Sequence, residues 1–294
     1  MTARAAFDSA PPAVARRRTS ASAWGLVLPL MAALLLLYLL PLANILWISV
    51  NDPAPGLGNY QRLVNSDAMQ RVLWTTFRVA AWTTVCAVVL GYLVAYVMLH
   101  ASPRHRVWIT AFVLVPFWVS VLVRAFAWLT LLRSEGLVNG ALAGLGLITE
   151  PLPLVRNEFG VLVGMVHYMV PYAVLPLYAG MKGIDPALGA ASRSLGAGPL
   201  RTFAKVFLPL SLPGIFAASL LVFVLSLGFL VTPAILGGGK VVMIAEYVRL
   251  QIFQTVRWGV GTMMASVLLL SVLALIALLS RVVDVRRLFG GGGA

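Results

Sequence analysis

Acidic residues are scarce in this sequence. Nine stand among 294 residues, and charged residues of both signs make up 11% of the chain, against about 25% in a soluble domain. Cysteine is nearly missing. Cys86 stands alone, which excludes an internal disulfide and a cysteine-based metal site and leaves a small core residue. The motifs of common enzymes are missing too: there is no H-E-x-x-H, no G-x-S-x-G and no G-x-G-x-x-G after a strand. The Leu-Gly-Gly-Gly-Lys of residues 236–240 brushes against a phosphate-binding loop. Ala234 stands where its first glycine belongs, and Val241 where its Ser or Thr belongs. These absences exclude zinc proteolysis, serine hydrolysis, dinucleotide binding and ATP hydrolysis by this chain itself, and predict that it is not an enzyme.

What is abundant is apolar length. Hydrophobic residues reach 61% and the mean hydropathy is +0.95. A membrane-spanning helix needs about 20 mostly apolar residues. Six runs qualify: Trp24–Val50, Val72–Leu99, Val107–Leu132, Val161–Met181, Leu212–Leu236 and Trp258–Ser280. They lack the alternation of a membrane β-barrel, and in lipid a helix satisfies its own backbone. The sequence therefore predicts an all-α integral membrane protein with a six-helix domain over residues 23–281. The first run is too long for the core of a signal peptide and reads as an uncleaved anchor. Residues 1–22, rich in Ala, Pro, Ser and Arg, read as a disordered N-terminus, and residues 282–294 as a C-terminal tail whose closing Gly-Gly-Gly-Gly-Ala is flexible.

The net charge of +13 sorts by side. Residues 1–23, 100–106, 182–211 and 281–294 carry thirteen basic and three acidic residues. The alternate segments, 51–71, 133–160 and 237–257, carry seven and six. Basic loops mark the cytoplasm, so both termini are expected there. The positive charge then reflects topology, and no nucleic-acid partner is implied.

One cytoplasmic segment, 182–211, is polar and glycine-punctuated. Asp185-Pro186 is a helix start. Leu188, Ala191 and Leu195 form a narrow apolar stripe, and Gly196 ends the helix. Gly198-Pro199 opens a second helix with Leu200, Phe203, Phe207 and Leu210 on one face, interrupted at Pro209 where the chain re-enters lipid. Arg193, Arg201 and Lys205 decorate the pair. Two readings are open: an amphipathic hairpin on anionic lipid, or a helix offered to a groove on a partner.

This segment resembles the signature loop of the membrane subunits of binding-protein-dependent ABC importers. Their pattern is Glu-Ala-Ala, three residues, Gly, nine residues, then Ile-x-Leu-Pro. Here it reads Ala190-Ala191-Ser192, Gly196 and Val206-Phe207-Leu208-Pro209, with Ala190 in place of Glu and Ser192 in place of the second Ala. Residues 114–132, 136–140, 166–186 and 227–238 are similar to the spermidine/putrescine-type permeases of that family. The resemblance implies the type I importer permease fold in a bacterial inner membrane. It implies a second permease subunit, a different chain, two ATP-binding cassette ATPases and an extracytoplasmic solute-binding protein that meets the outer loops, chiefly 133–160. It implies that this chain binds no cofactor and that ATP is used by its partners. Asp185, Pro186, Ala190, Ala191, Arg193, Gly196, Arg201, Lys205, Leu208 and Pro209 would then form the ATPase-coupling loop, without the family's carboxylate at 190.

Candidate residues for the translocation path of a small solute are Phe117, Trp118, Arg124, Trp128, His167, Tyr168 and Thr232. Arg124 is a cation inside a spanning run, costing about 2.5–3.5 kcal/mol at the helix centre, so it either pairs structurally or faces the path. Arg78 lies nearer an end and can snorkel. His167 precedes Pro171 by one turn and either packs or lines the path. Leu227-Gly228-Phe229 and Thr232-Pro233 break the fifth run, and broken helices tend to face cavities. A stand-alone secondary transporter is the rival reading, and it predicts inverted repeats and midplane ion ligands. A membrane scaffold or enzyme is a further rival, predicting no polar kinked helices or a catalytic cluster.

Overall fold

A computed structural model describes residues 21–282, and side chains from Val27 to Leu278. Of the N-terminus expected to be disordered, residues 1–20 lie outside the described residues while 21 and 22 open the first helix, and of the expected tail residues 283–294 lie outside them while Val282 ends the last helix. Among the described residues every regular element is helical. In chain order they are α1 (Ala21–Asn51), α2 (Gly58–Asn65), α3 (Asp67–His100), α4 (Pro103–Trp118), α5 (Val121–Leu132), α6 (Leu137–Gly144) and α7 (Glu158–Lys182). Then follow α8 (Pro186–Ser194), α9 (Pro199–Thr202), a π-helical turn (Phe203–Phe207), α10 (Leu208–Leu227), α11 (Val231–Leu236), α12 (Ile244–Phe253) and α13 (Trp258–Val282).

Five of these stretches are long and apolar enough to cross a membrane: Val27–Asn51, Asp67–His100, Glu158–Lys182, Pro199–Leu227 and Trp258–Leu278. The third apolar run does not form the single helix expected of it. It is split between α4 and α5, and the pair Pro103–Trp118 and Val121–Gly144 bends by 98°. Pro116 lies near the end of α4 and supplies no N–H, and the chain is extended at Val119 before α5 begins. The fifth run breaks where Gly228 and Phe229 predict, with α10 ending at Leu227 and α11 following as a short separate helix.

The chain divides between Asn44 and Ile45 into two units. In the first, every described side chain from Val27 to Asn44 except Leu42 is exposed, and the helix is apolar all round, as a lipid-facing span is.

The second unit has its core where α3, α7 and α10 meet. Ala87, Val88 and Ala95 pack against Met169, Ala173, Leu177 and Met181, with Ala218 and Val222 from α10. In lipid the helices gain little from hiding apolar surface, so small residues that let backbones approach supply the packing. A Cβ at Gly91 would stand 2.9 Å from that of Ala173, and one at Gly180 would stand 3.2 Å from the Cα of Gly214. Two flanking clusters extend this core. Val79, Val161, Met165 and Leu236 join α11 to α3 and α7, and Val72, Ile244, Val260, Met263 and Met264 join α12 and α13 to α3. Polar ties close the same end. The backbone N–H of Ile244 donates to Thr76 Oγ1 at 2.8 Å, and that of Gly259 donates to the Asp52 carboxylate at 2.6 Å, an anion at the start of α13.

Candidate functional site

The break between α4 and α5 opens a cavity of about 380 Å³ lined by Pro116–Val121, Arg124, Tyr168, Pro171 and Tyr172. Its form follows from backbone chemistry. A helix end leaves carbonyls without partners, and in lipid these must be satisfied by protein. Arg124, one turn into α5 and 7% exposed, turns back on the break. Its Nη2 donates to the carbonyl oxygens of Pro116 and of Val119, the latter at 3.0 Å. Its guanidinium lies over the Tyr168 ring, 4.9 Å from the centroid, a cation–π contact strengthened by desolvation. Arg124 thus pairs structurally and lines the cavity at once.

Aromatic rings complete the wall. Phe117 meets Tyr172 edge-on at 4.8 Å, Tyr168 stacks on Tyr172 at 5.6 Å, and Tyr168 touches Phe229, beyond the break after α10, at 4.7 Å. Trp118 is 90% exposed beside the break. Trp128 and His167 sit next to this group as a pair of their own. Trp128 Nε1 donates to His167 Nδ1 at 3.0 Å, and since an indole N–H only donates, a neutral His167 carries its proton on Nε2. Thr232 is elsewhere. It is buried in the α11–α7 contact, where its methyl would stand 2.6 Å from a Cβ at Gly164. Ser120 and Tyr172 line the cavity without standing out in the sequence, and Pro171, which marks a kink there, lines it too. Pro171 and Tyr172 follow Tyr168 by about one helical turn, which is the signal that could have found them. Arg78 does not merely snorkel: its Nη2 pairs with Glu158 at 2.5 Å.

The 182–211 segment forms the expected helix, glycine turn and helix. Asp185 accepts from the Ala187 N–H at 2.8 Å with Pro186 in the first turn. At the other end Gly196 takes φ +82°, Gly196 N–H reaches Arg193 O at 2.9 Å, and Ala197 N–H reaches Ser192 O at 3.2 Å. This double closure needs a residue without a side chain at the left-handed position. Asp185, Pro186, Ala190, Ala191, Arg193, Gly196, Arg201, Lys205 and Pro209 are all exposed, and Leu208 is half-buried. The stripe on α8 is exposed as well: Leu188 is 45% and Leu195 89% exposed, with Leu200 of α9 at 80%.

The second short helix differs from its sequence reading. It does not stop at Pro209 but runs on into the membrane span through the π-helical turn, where Leu208 N–H reaches back to Phe203 O. Pro209 has no N–H, and its ring crowds the carbonyl four residues earlier. The wider turn absorbs that misfit. It also aims Phe203 and Phe207 at α3, where Tyr96 meets them edge-on at 5.7 and 5.4 Å.

At the opposite end of the spans, Glu246 in the first turn of α12 is 6% exposed, and its Oε2 has no hydrogen-bond partner. Burial pushes its carboxyl above the usual range, with nearby Arg249 pulling weakly the other way. Among the described residues no cluster of His, Cys, Asp or Glu could hold a metal ion.

A helical multi-span membrane protein with an aromatic cavity at a broken span, and an exposed helical hairpin off its spans, has the form of a solute-transport subunit. Comparison with known proteins makes the class specific. Residues 87–288 match the family described as binding-protein-dependent transport system inner membrane component. The chain is 30% identical over 204 residues to the spermidine/putrescine transport system permease protein PotB of Haemophilus influenzae, covering 69% of this chain and 71% of that one. It is 31% identical to PotB of Escherichia coli, covering 70% and 74%. It is 32% identical to a probable molybdenum ABC transporter permease of Haloferax volcanii, covering 76% and 75%. Among solved structures, a bacterial ABC transporter that imports the acidic polysaccharide alginate shares the fold with a TM-score of 0.69 at 18% identity, covering 88% of this chain and 95% of that one. This chain belongs to the binding-protein-dependent transport family and is the membrane subunit of an ABC importer, with the type I permease fold.

Proposed function

We propose that the chain forms one half of the transmembrane pathway of an ATP-driven importer of polyamines or a related small solute, seated in a bacterial inner membrane with both termini in the cytoplasm. Its partners are a second permease subunit that is a different chain, two cytoplasmic ATP-binding cassette ATPases and an extracytoplasmic solute-binding protein. This chain holds no cofactor, and the ATPases consume the ATP. The polyamine class rests on the names of the relatives. The binding protein is supported by a second alginate transporter structure of the same fold, solved in complex with its alginate pentasaccharide-bound periplasmic protein (TM-score 0.71, 16% identity, covering 87% of this chain and 92% of that one).

The observation that carries the reading is the exposed apolar stripe on α8. Leu188 and Leu195 stand in the open on a capped helix that buries none of its residues, the form of a helix that fits a groove. In the proposed cycle the loaded binding protein lands on the outer loops around 133–160. ATP closes the two ATPases, α8 is carried with them, and α9, the π-helical turn and α10 pass the displacement into the bundle. Each ligand acts only through its unequal affinity for the inward- and outward-facing states. In the cavity the faces of Tyr168, Tyr172 and Phe117 can hold an ammonium group, while Arg124 repels it and no acid offsets that charge. Selection of a cationic solute therefore falls mainly to the binding protein.

The test is purification of the chain with its ATPase, second-permease and binding-protein partners, then reconstitution in liposomes. Spermidine-loaded binding protein should stimulate ATP hydrolysis and drive spermidine inward. A chain that binds no ATPase would sink the importer assembly. Stimulation by other solutes with no response to spermidine or putrescine would sink the polyamine class alone.

A further inference from the structure

Helix α8 buries none of its residues. It is joined to the rest of the chain by two short backbone links, at Gly183 and at Gly196–Gly198. Backbone bonds tie the second link to α8 at Gly196 and Ala197, but Gly198 leaves its exit toward α9 compliant. A load delivered to α8 would be dissipated there unless a side chain bridged the turn. Among the described residues one side-chain hydrogen bond does so: Ser192 Oγ of α8 and Thr202 Oγ1 of α9 lie 3.1 Å apart.

The two ends of this bond are unequal. Ser192 is half-buried on the outer helix, whereas Thr202 is 8% exposed and immediately precedes the π-helical turn. That turn is anchored in the membrane bundle. Phe203 and Phe207 pack edge-on against Tyr96, Phe203 also meets Tyr92 at 6.3 Å, and Tyr92 Oη lies 3.0 Å from Ser211 Oγ on α10. Thr202 is therefore the point where the exposed hairpin meets a packed aromatic block on α3 and α10. Ser192 is also a position where this chain departs from the signature pattern, which has alanine there and offers no hydroxyl.

We infer that Ser192 is a positioning residue for the coupling step: its bond to Thr202 braces α8 against α9, so that displacement of α8 reaches α3 and α10 instead of bending the glycine turn. The inference rests on the proposed role of α8 as the ATPase-docking helix. A neutral hydrogen bond of ordinary net strength shifts an equilibrium by about fivefold, enough to change how well two motions are linked without deciding whether the chain folds.

The experiment uses the whole reconstituted transporter and measures ATP hydrolysis and spermidine uptake in the same liposomes. Ser192→Ala and Thr202→Val should each lower the solute moved per ATP by roughly fivefold. The double variant should be no worse than either single one, because the two side chains share one bond. Ser192→Thr, which keeps the hydroxyl, should retain the ratio. ATPase co-purification should be unchanged in all four and the melting temperature lowered by no more than a few degrees, whereas a merely structural role would lower the ratio only as assembly is lost. A wild-type ratio in Ser192→Ala, or additive losses in the double variant, would overturn the brace while leaving the importer reading intact. Failure of the wild-type chain to bind ATPases would overturn both. If Thr202→Val assembles poorly, Thr202→Ser decides, since the brace requires it to keep the wild-type ratio.

Discussion

A single guanidinium holds the break between α4 and α5. Removing it leaves the Val119 carbonyl without its side-chain donor and the Pro116 carbonyl with only the Val119 N–H at 3.3 Å, and where lipid offers no replacement an unmade bond costs about 1–3 kcal/mol. Lysine reaches as a point charge without the planar fork. Arg124→Met should therefore melt at lower temperature than Arg124→Lys in detergent, with uptake falling in the order Arg, Lys, Met. Glu246 makes a prediction of opposite sign. Its carboxyl titrates higher in the folded chain than in the unfolded one, so the folded state holds more protons between the two values. Its contribution to stability therefore falls as pH rises from the ordinary carboxyl range through the raised value. Glu246→Gln should raise the melting temperature near pH 8 and lose that advantage near pH 4. At this scale the sequence was partly legible. A lone arginine in an apolar run is conspicuous, but its partners are backbone carbonyls, which no residue pattern reveals. Thr232 beside Pro233 reads as a path residue from sequence; in the structure the close approach allowed by Gly164 buries it in a helix contact.

Helical elements were legible wherever capping chemistry is local. Asp185-Pro186 bound α8 at its start through a carboxylate cap and a fixed φ, Gly196 at its end through the lack of a side chain, and six lipid-length runs are a matter of composition. The bend of the third run was not legible. Pro171 and Pro176 sit inside α7 without ending it, so Pro116 alone could not announce a break of 98°. The π-helical turn was hidden for a similar reason, since an extra residue in a helix leaves no compositional mark. Its cause can be tested at Pro209. Pro209→Ala restores a backbone N–H and removes the ring from the carbonyl of Lys205, so the turn should tighten to an α-helix. Losing one residue of register rotates one side of the turn by about 100° against the other. Phe203 would then leave Tyr96. In a Cys86→Ser background, a disulfide between Tyr96→Cys and Phe203→Cys should form readily with Pro209 present and poorly with alanine there. Equal trapping in the two backgrounds would show that the proline does not set the turn.

For the molecule as a whole, the fold was read from what lipid demands of a backbone, while the cavity needed the folded chain, because it is built from α4, α5 and α7 together. One feature of the bundle bears on how such a subunit can move. Where Gly91 meets Ala173 and Gly180 faces Gly214, backbones approach with at most one methyl group between them, and it has no rotamer to rearrange. Three helices in that condition have little slack, and the expectation is that they tilt together, as a slab and a lever, instead of flexing. Spin labels on α3 and α7 should keep one distance distribution whether or not nucleotide is bound, whereas a label on α4 paired with one on α7 should show two. A nucleotide-dependent change within the slab would mean that these glycines are a hinge, and that the lever arm lies elsewhere.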